Sequence, residues 1–333
     1  MGLSATRLVA NRYEVIGEVA RGGCGAVYEA HDLRRDRLVA IKILKSGNYD
    51  RAAAARFARE ARVAAAIHHP NVCTVTDSGI LEDGSPFLVM ELLRGETLRA
   101  YMTRAPRLDA EEAIELSVQM LSGLEAAHTL GIVHRDMKPE NVFIVRHHSG
   151  TRSLPVVKLL DFGMCRRVAP QVMDDRTLTR AGTVVGTPEY MAPEQAAGRR
   201  SFDLRIDLYA VGVMLYETLT GTRAFSGADP RGVLVSVLTR NLPSVRSIQP
   251  DLPVAVDRIV ARAVERDPRA RYHGAAEFQH DLLEARTILR SQRNRRAKSA
   301  ARAQAPQEPF ANSANDWEMP TRQIVARTFR RPA

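Results

Sequence analysis

Cysteine, lysine and aromatic residues are scarce in this chain of 333 residues, and long hydrophobic runs are missing. The three cysteines, Cys24, Cys73 and Cys165, are odd in number and far apart. They outline neither a disulfide framework nor a zinc site, and a reducing compartment is their natural setting. No apolar run reaches the roughly 18 to 20 residues that a membrane helix needs; the best stretch, residues 209–215, is bracketed by Asp207 and Glu217. Residues 1–7 hold no apolar signal core. A soluble, cytoplasmic protein is the expectation. Only five positive charges are lysines, Lys42, Lys45, Lys138, Lys158 and Lys298, and the other 43 are arginines. With abundant alanine, that bias reads as the mark of a GC-rich genome rather than a demand of function.

The net charge of +10 invites a nucleic-acid reading. It is unevenly distributed, because the segment from Arg286 to the end holds eleven Lys+Arg against three Asp+Glu and so carries +8 of it. Residues 1–285 are nearly neutral. With 45% hydrophobic residues there is ample material for a full core, in one large domain or two smaller ones.

Residues 13–93 alternate in short β-branched runs, at 13–16, 26–30, 38–44, 72–75 and 87–90, which predict five strands. Residues 51–67 lack Gly and Pro, abound in strong helix formers and predict one helix among them. Beyond Gly95 the period shifts toward 3.6, with helices predicted over 110–130, 207–220, 230–238, 254–264 and 275–289. From about Ser291 onward large apolar residues are few, and a mobile segment is expected.

Glycines at 22, 23 and 25 lie between two predicted strands, where they form either an ordinary turn or a loop whose backbone approaches phosphate oxygens. Lys42 follows Val-Ala-Ile on an alternating strand. An inward lysine needs an anion, and Glu60 on the lone helix is the obvious protein-side partner, in a structural salt bridge or in a ligand site. His134, Arg135, Asp136, Lys138 and Asn141 form a polar cluster between two apolar stretches. Then come Asp161-Phe-Gly at the end of an apolar run, Gly-Thr-Pro-Glu-Tyr-Met-Ala-Pro-Glu over residues 186–194, Asp207, and Arg-Asp-Pro-Arg-Ala-Arg over 266–271. His68-His69 and His147-His148 lie in turn and loop sequence and mark no metal site, and the myristoylation-like Gly2 with Thr6 is an accidental match.

In this fixed order the motifs resemble the eukaryotic-like (Hanks-type) protein kinase family, over residues 13–286, in its bacterial serine/threonine branch. The resemblance implies an α+β, bilobal protein-kinase fold. Its N-lobe (13–93) would hold a five-stranded antiparallel sheet plus one helix and its C-lobe (94–286) would be mainly helical, with a short extension (1–12) before and a basic, flexible tail (287–333) after. It implies a non-specific serine/threonine protein kinase, a transferase moving the γ-phosphate of ATP to Ser or Thr hydroxyls, with Mg²⁺ or Mn²⁺. Nucleotide contacts would come from Ala20, Gly22, Gly25, Val27, Ala40, Lys42 (braced by Glu60), Met90, Glu91 and Leu93. Asn141 and Asp161 would hold the metal, Asp136 would orient and deprotonate the hydroxyl, and Lys138 would steady the γ-phosphate. Glu194, Asp207 and Arg271 would be structural. Ala20 replaces a usual glycine, tolerable at negative φ, and Met137 a usual leucine.

Arg135 beside Asp136 suggests an anion-ordered activation segment, with Thr177, Thr179 and Thr183 as candidate phosphorylation sites and Thr179 foremost. Expected partners are Ser/Thr protein substrates, a second copy for autophosphorylation in trans, and a forkhead-associated phosphothreonine reader at Thr321, three residues before Ile324. No specific nucleic acid is expected, nor membrane contact by the basic tail. Glu140 suggests basic residues near the target hydroxyl. The rival readings are a nucleotide-binding scaffold without catalysis, opposed by Lys42, Asp136, Asn141 and Asp161, and an adaptor acting through its tail.

Overall fold

The computed structural model describes residues 8–23, 25–44, 51–145, 155–162, 188–199 and 203–304. The chain divides into two compact units, Met1–Ser291 and Gln292–Ala333. The first unit opens with an antiparallel sheet of strands β1 (Leu8–Val9), β2 (Tyr13–Gly22), β3 (Gly25–Asp32), β4 (Arg37–Leu44), β5 (Val75–Ile80) and β6 (Pro86–Glu91), in the order β1-β2-β3-β4-β6-β5. The five expected strands are present. A sixth, β1, pairs with β2 at the edge because Val9 is buried there, so the folded part begins before Tyr13. The strand expected at 72–75 starts at Val75 instead. Its Thr-Asp-Ser-Gly stretch is too polar to signal a strand, and edge pairing with β6 makes it one.

Side-chain alternation gives this sheet two apolar faces. Val9, Tyr13, Ala30, Val39, Ile41, Phe87 and Val89 cluster on one, while Leu44 and Leu88 pack on the other against Phe57, Ala61 and Ala64 of helix α1 (Arg51–Ala65). Residues directly opposite in the register share a face. Val27 faces Lys42, Lys42 faces Leu88, and Ala40 faces Met90, so these side chains stand on the α1 side.

The N-terminal edge is tied down by charge. Arg12 donates Nε to Oδ1 and Nη2 to Oδ2 of Asp32, both at 2.7 Å, and Nη1 to Asp77 at 3.0 Å. These bonds hold the buried Asp32 carboxyl at a pKa of about 2, against the opposing effect of burial. The folded-state pKa lies below the unfolded one, so the contribution is full above about pH 4 and is lost as pH falls toward 2. We expect wild type to exceed Asp32→Asn by about 1 to 2 kcal/mol at pH 7 and the gap to close between pH 4 and 2. Urea denaturation at stepped pH checks this.

After β7 (Gly95–Thr97) the chain is mainly helical. α2 (Leu98–Arg104) and α3 (Ala110–Thr129) lead to the 3₁₀ turn Pro139–Asn141 and to β8 (Val142–Val145) and β9 (Val156–Leu159), which join β7 in a small sheet of order β7-β8-β9. The 3₁₀ turn Pro188–Tyr190, α4 (Pro193–Ala196), α5 (Arg205–Thr220), α6 (Pro230–Thr239), α7 (Val245–Ile248), α8 (Val254–Ala263), the 3₁₀ turn Pro268–Ala270 and α9 (Ala275–Gln304) follow. Helix starts announced by sequence carry real caps: Asp109 accepts from Glu111 N, and Asp229, before Pro230, accepts from Gly232 N. Helix α5 is buried from Ile206 to Thr220, as expected of a helix apolar on nearly every side. It is the axis on which the large core assembles. Where α5 meets α8, a Cβ on Gly212 would come 2.7 Å from the Ala263 methyl, so glycine permits the close crossing.

One departure concerns the end of the chain. Helix α9 runs to Gln304, where irregular, mobile chain was expected from Ser291. Its last turns are rich in Ala, Arg, Gln and Lys without Gly or Pro, and such residues sustain a helix without burying an apolar face. Among the described residues, no helix is long and apolar enough to cross a membrane.

Candidate active site

Two loops and two strands bring the predicted residues together. Between α3 and β8 the chain passes through residues 131–141, held from below by one carboxylate. Asp207, on the first turn of α5, accepts from His134 N at 2.8 Å and Arg135 N at 2.9 Å, and its Oδ2 lies 2.9 Å from His128 Nε2. Asp207 and His134 are both almost wholly buried. His134 Nδ1 accepts from Asp136 N, so the ring donates through Nε2 to the carbonyl of Leu160 at 2.8 Å. One imidazole thus links the loop that carries Asp136 to the strand end that carries Asp161. Arg135 (φ 68°) and Asp161 (φ 56°) both have left-handed backbone, a conformation unfavourable outside glycine and sustained by these surrounding bonds.

The Asp136 carboxylate receives Lys138 Nζ at 2.7 Å and Asn141 Nδ2 at 3.0 Å, the latter also bonding the Asp136 carbonyl at 2.7 Å. Asp161 receives Lys42 Nζ at 2.6 Å across 119 residues of sequence. Burial alone would raise the Asp161 pKa, but Lys42, with smaller effects of His134 and Lys138, lowers it below the ordinary carboxylate value. Asp136 and Asp161 thus stand as two carboxylates set among lysines and an amide.

One contact goes beyond the sequence expectation. Besides the Glu60 brace assigned to it, Lys42 pairs with Asp161, while Glu60 stands half-buried on α1. The left-handed turn at Asp161 brings that carboxylate within hydrogen-bond range of the lysine. Glu91 also differs from a simple backbone contributor: its side chain accepts from Thr74 N and from Lys158 Nζ, both at 2.8 Å. This strap joins the end of β6 to β9, and sequence reasoning missed Lys158 because its partner lies 67 positions away. His128 was missed likewise, sitting unremarkably near the end of an amphipathic helix.

The glycine turn joins β2 to β3, with Gly22 opposite Gly25 and Ala20 opposite Val27. A Cβ on Gly25 would lie 2.1 Å from the Ile43 carbonyl, so only glycine fits that approach. Ala20 is absent from the positive-φ residues, which satisfies the condition set for an alanine there. Met90 closes β6 opposite the buried Ala40, and Leu93 lies just beyond it, half-buried. Glu194 and Arg271 meet in a bidentate pair at 2.8 Å and 2.8 Å. Thr177, Thr179, Thr183 and Thr187, and also Cys24, Cys165 and Thr321, lie outside the described residues.

The donor set suits a nucleotide with a hard divalent cation. Asn141 spends its amide N–H on Asp136 and Asp161 spends Oδ2 on Lys42, which leaves Asn141 Oδ1 and Asp161 Oδ1 as hard oxygen acceptors. Magnesium is usually bound by one or two such groups together with substrate phosphates. Among the described residues there is no cluster of three or more His, Cys, Asp or Glu able to hold a metal by itself.

The profile of the protein kinase domain family matches residues 13–288. Serine/threonine-protein kinase pkn3 of Myxococcus xanthus is 36% identical over 318 residues, covering 93% of this chain and 57% of that protein. The probable serine/threonine-protein kinase PknB of Lactococcus lactis is 36% identical over 286 residues, covering 85% and 43%. The chain therefore spans about half the length of these curated relatives. Among solved structures, the kinase domain of PknI from Mycobacterium tuberculosis, as a double mutant, superposes with a TM-score of 0.67 at 23% identity, covering 86% of this chain and all of that one. That likeness concerns the fold.

Proposed function

The chain belongs to the protein kinase domain family, and from that premise we propose that it transfers the γ-phosphate of ATP to serine and threonine hydroxyls of proteins. The observation that carries the proposal is the Asp136 carboxylate, bonded by Lys138 and Asn141 and joined through His134 to the Lys42–Asp161 pair. Phosphoryl transfer asks a protein mainly for positioning and charge neutralisation, and these groups are of the kinds required.

In this reading Gly25 admits the phosphate chain beneath the β2–β3 turn and Lys42 neutralises it. Magnesium held by Asn141 and Asp161 would supply further charge neutralisation at the phosphates. Asp136 accepts the proton as the substrate oxygen bonds to the γ-phosphorus and the bond to the β–γ bridging oxygen breaks, releasing ADP. Lys138 lies against both the base and the transferred group. Autophosphorylation in trans at Thr179, a phosphothreonine reader for Thr321 and a cytoplasmic setting belong to the same proposal, supported by sequence alone. Incubating the full chain with γ-labelled ATP, magnesium and a generic protein acceptor should yield labelled phosphoserine and phosphothreonine. Label no greater than that of a Lys42→Met variant would end the proposal and restore the scaffold reading.

A further inference from the structure

Beside the cleft runs a series of acid–arginine pairs, on the edge made by β7, α2 and the 3₁₀ turns Pro139–Asn141 and Pro188–Tyr190. Glu96 accepts from Arg104 at 2.9 Å, Glu140 from Arg99 Nε at 2.8 Å, and Glu189 lies 3.8 Å from Arg223. Glu140 immediately precedes Asn141, whose amide touches Asp136, so residues flanking an acceptor hydroxyl pass close to it.

Arg99 is the centre of this arrangement. Its Nη2 donates to the Tyr190 hydroxyl at 2.8 Å, and Tyr190 donates in turn to Glu217 at 2.5 Å. One guanidinium thus serves Glu140 directly and Glu217 through a phenol. Next to it is a cavity of about 170 Å³ lined by Arg99, Met102, Thr103, Glu217, Thr222 and Arg223. Without the guanidinium, Glu140 would lose its direct counter-charge and Glu217, which lines the cavity, the one relayed through Tyr190, and such carboxylates beside a cavity are a receptor for a cation. With it, the acids are already answered from within the chain. Glu140 keeps one oxygen, Oε2, buried without a hydrogen-bond partner.

We infer that Arg99 determines specificity by supplying in cis the cation that a basic substrate side chain would otherwise bring, so the enzyme selects acceptor segments with neutral or acidic flanks over basic ones. This rests on the kinase reading above and reverses the preference that Glu140 alone suggested. A basic side chain entering here meets Arg99 and Arg223 rather than open carboxylates, and like charges at close range disfavour it.

The test is a positional-scanning peptide library with a fixed Ser or Thr and Arg, Ala or Glu at each flanking position. It is assayed with the full wild-type chain, Arg99→Ala and Arg99→Met, the last keeping most of the alkyl stem. Wild type should phosphorylate Arg-containing peptides no faster than their Ala or Glu counterparts at every position. In Arg99→Met the Arg/Ala rate ratio should rise about tenfold at one position or more, and adding Glu140→Gln should reverse the gain. Severalfold selection of Arg by wild type overturns the inference. So does an unchanged ratio in variants that still phosphorylate neutral peptides, or an equal loss on all peptides in both variants, which would make Arg99 a structural tie. A wild-type chain that phosphorylates no peptide or protein fails the kinase reading itself and takes this inference with it.

Discussion

Asp136→Asn should lower the rate of phosphoryl transfer by about 10²- to 10⁴-fold, the range associated with losing a positioned general base. The substitution is nearly isosteric, and Lys138 Nζ and Asn141 Nδ2 both donate to the side chain. An amide oxygen can still accept from either, so the loop keeps its shape, but the amide cannot take the substrate proton. The loss should therefore appear in kcat, with KM for ATP little changed, because in the proposed reading ATP is held by Lys42, Asp161 and the β2–β3 turn. Initial rates at saturating ATP, read alongside thermal unfolding, separate this from misfolding. A variant that folds and retains a tenth of the wild-type kcat would remove Asp136 from the role of base.

The largest stability effect belongs to Arg271, for which replacement by Ala should cost about 3 to 5 kcal/mol. Its side chain is fully buried and Glu194 is 6% exposed, so the bidentate pair has no water to fall back on. Arg271 also donates to the carbonyls of Glu265 at 2.6 Å and Arg266 at 3.1 Å, and its guanidinium lies 4.7 Å from the centre of the Tyr209 ring. Truncation leaves a buried carboxylate and two carbonyls without partners, which is far worse than removing both charges together. The double variant Glu194→Gln with Arg271→Met should consequently recover a substantial part of the loss. Urea denaturation of the three proteins measures both numbers. Activity should fall with Arg271→Ala as well, since Glu194 lies on α4, close after the turn that carries Tyr190. A cost below about 1 kcal/mol would show the pair to be dispensable.

Elements and motifs were legible to different degrees. Helix α5 could be read almost to the residue, because its fifteen consecutive buried positions are mostly apolar and Gly221, in left-handed backbone, ends it. Strand β5 was misplaced, since edge strands tolerate the polar residues that sequence reading takes for a turn. The polar cluster that the structure gathers around Asp136 was legible because its members sit within eight residues, 134–141, whose polarity interrupts an apolar context. Arg99 carried no signal: an arginine on a short helix looks like any surface charge until Glu140 and Tyr190, 41 and 91 positions away, close around it.

By itself, then, the sequence determined what depends on local order: the strands and helices, the glycine-rich turn, the polar loop at 134–141, the position of the charge in the tail, and the family to which the motifs point. Tertiary structure decided which charges meet. Nothing in the sequence announced that Lys42 meets Asp161, 119 positions away, and the left-handed turn at Asp161 brings them together. Glu140 could have stood open to a basic substrate, and the approach of α2 gives it Arg99 instead. Propensity and periodicity are properties of neighbours in the chain, whereas an ion pair is a property of neighbours in space. Only the packed core, which sets those second neighbours to within about an ångström, turns a list of charged residues into a site with a preference.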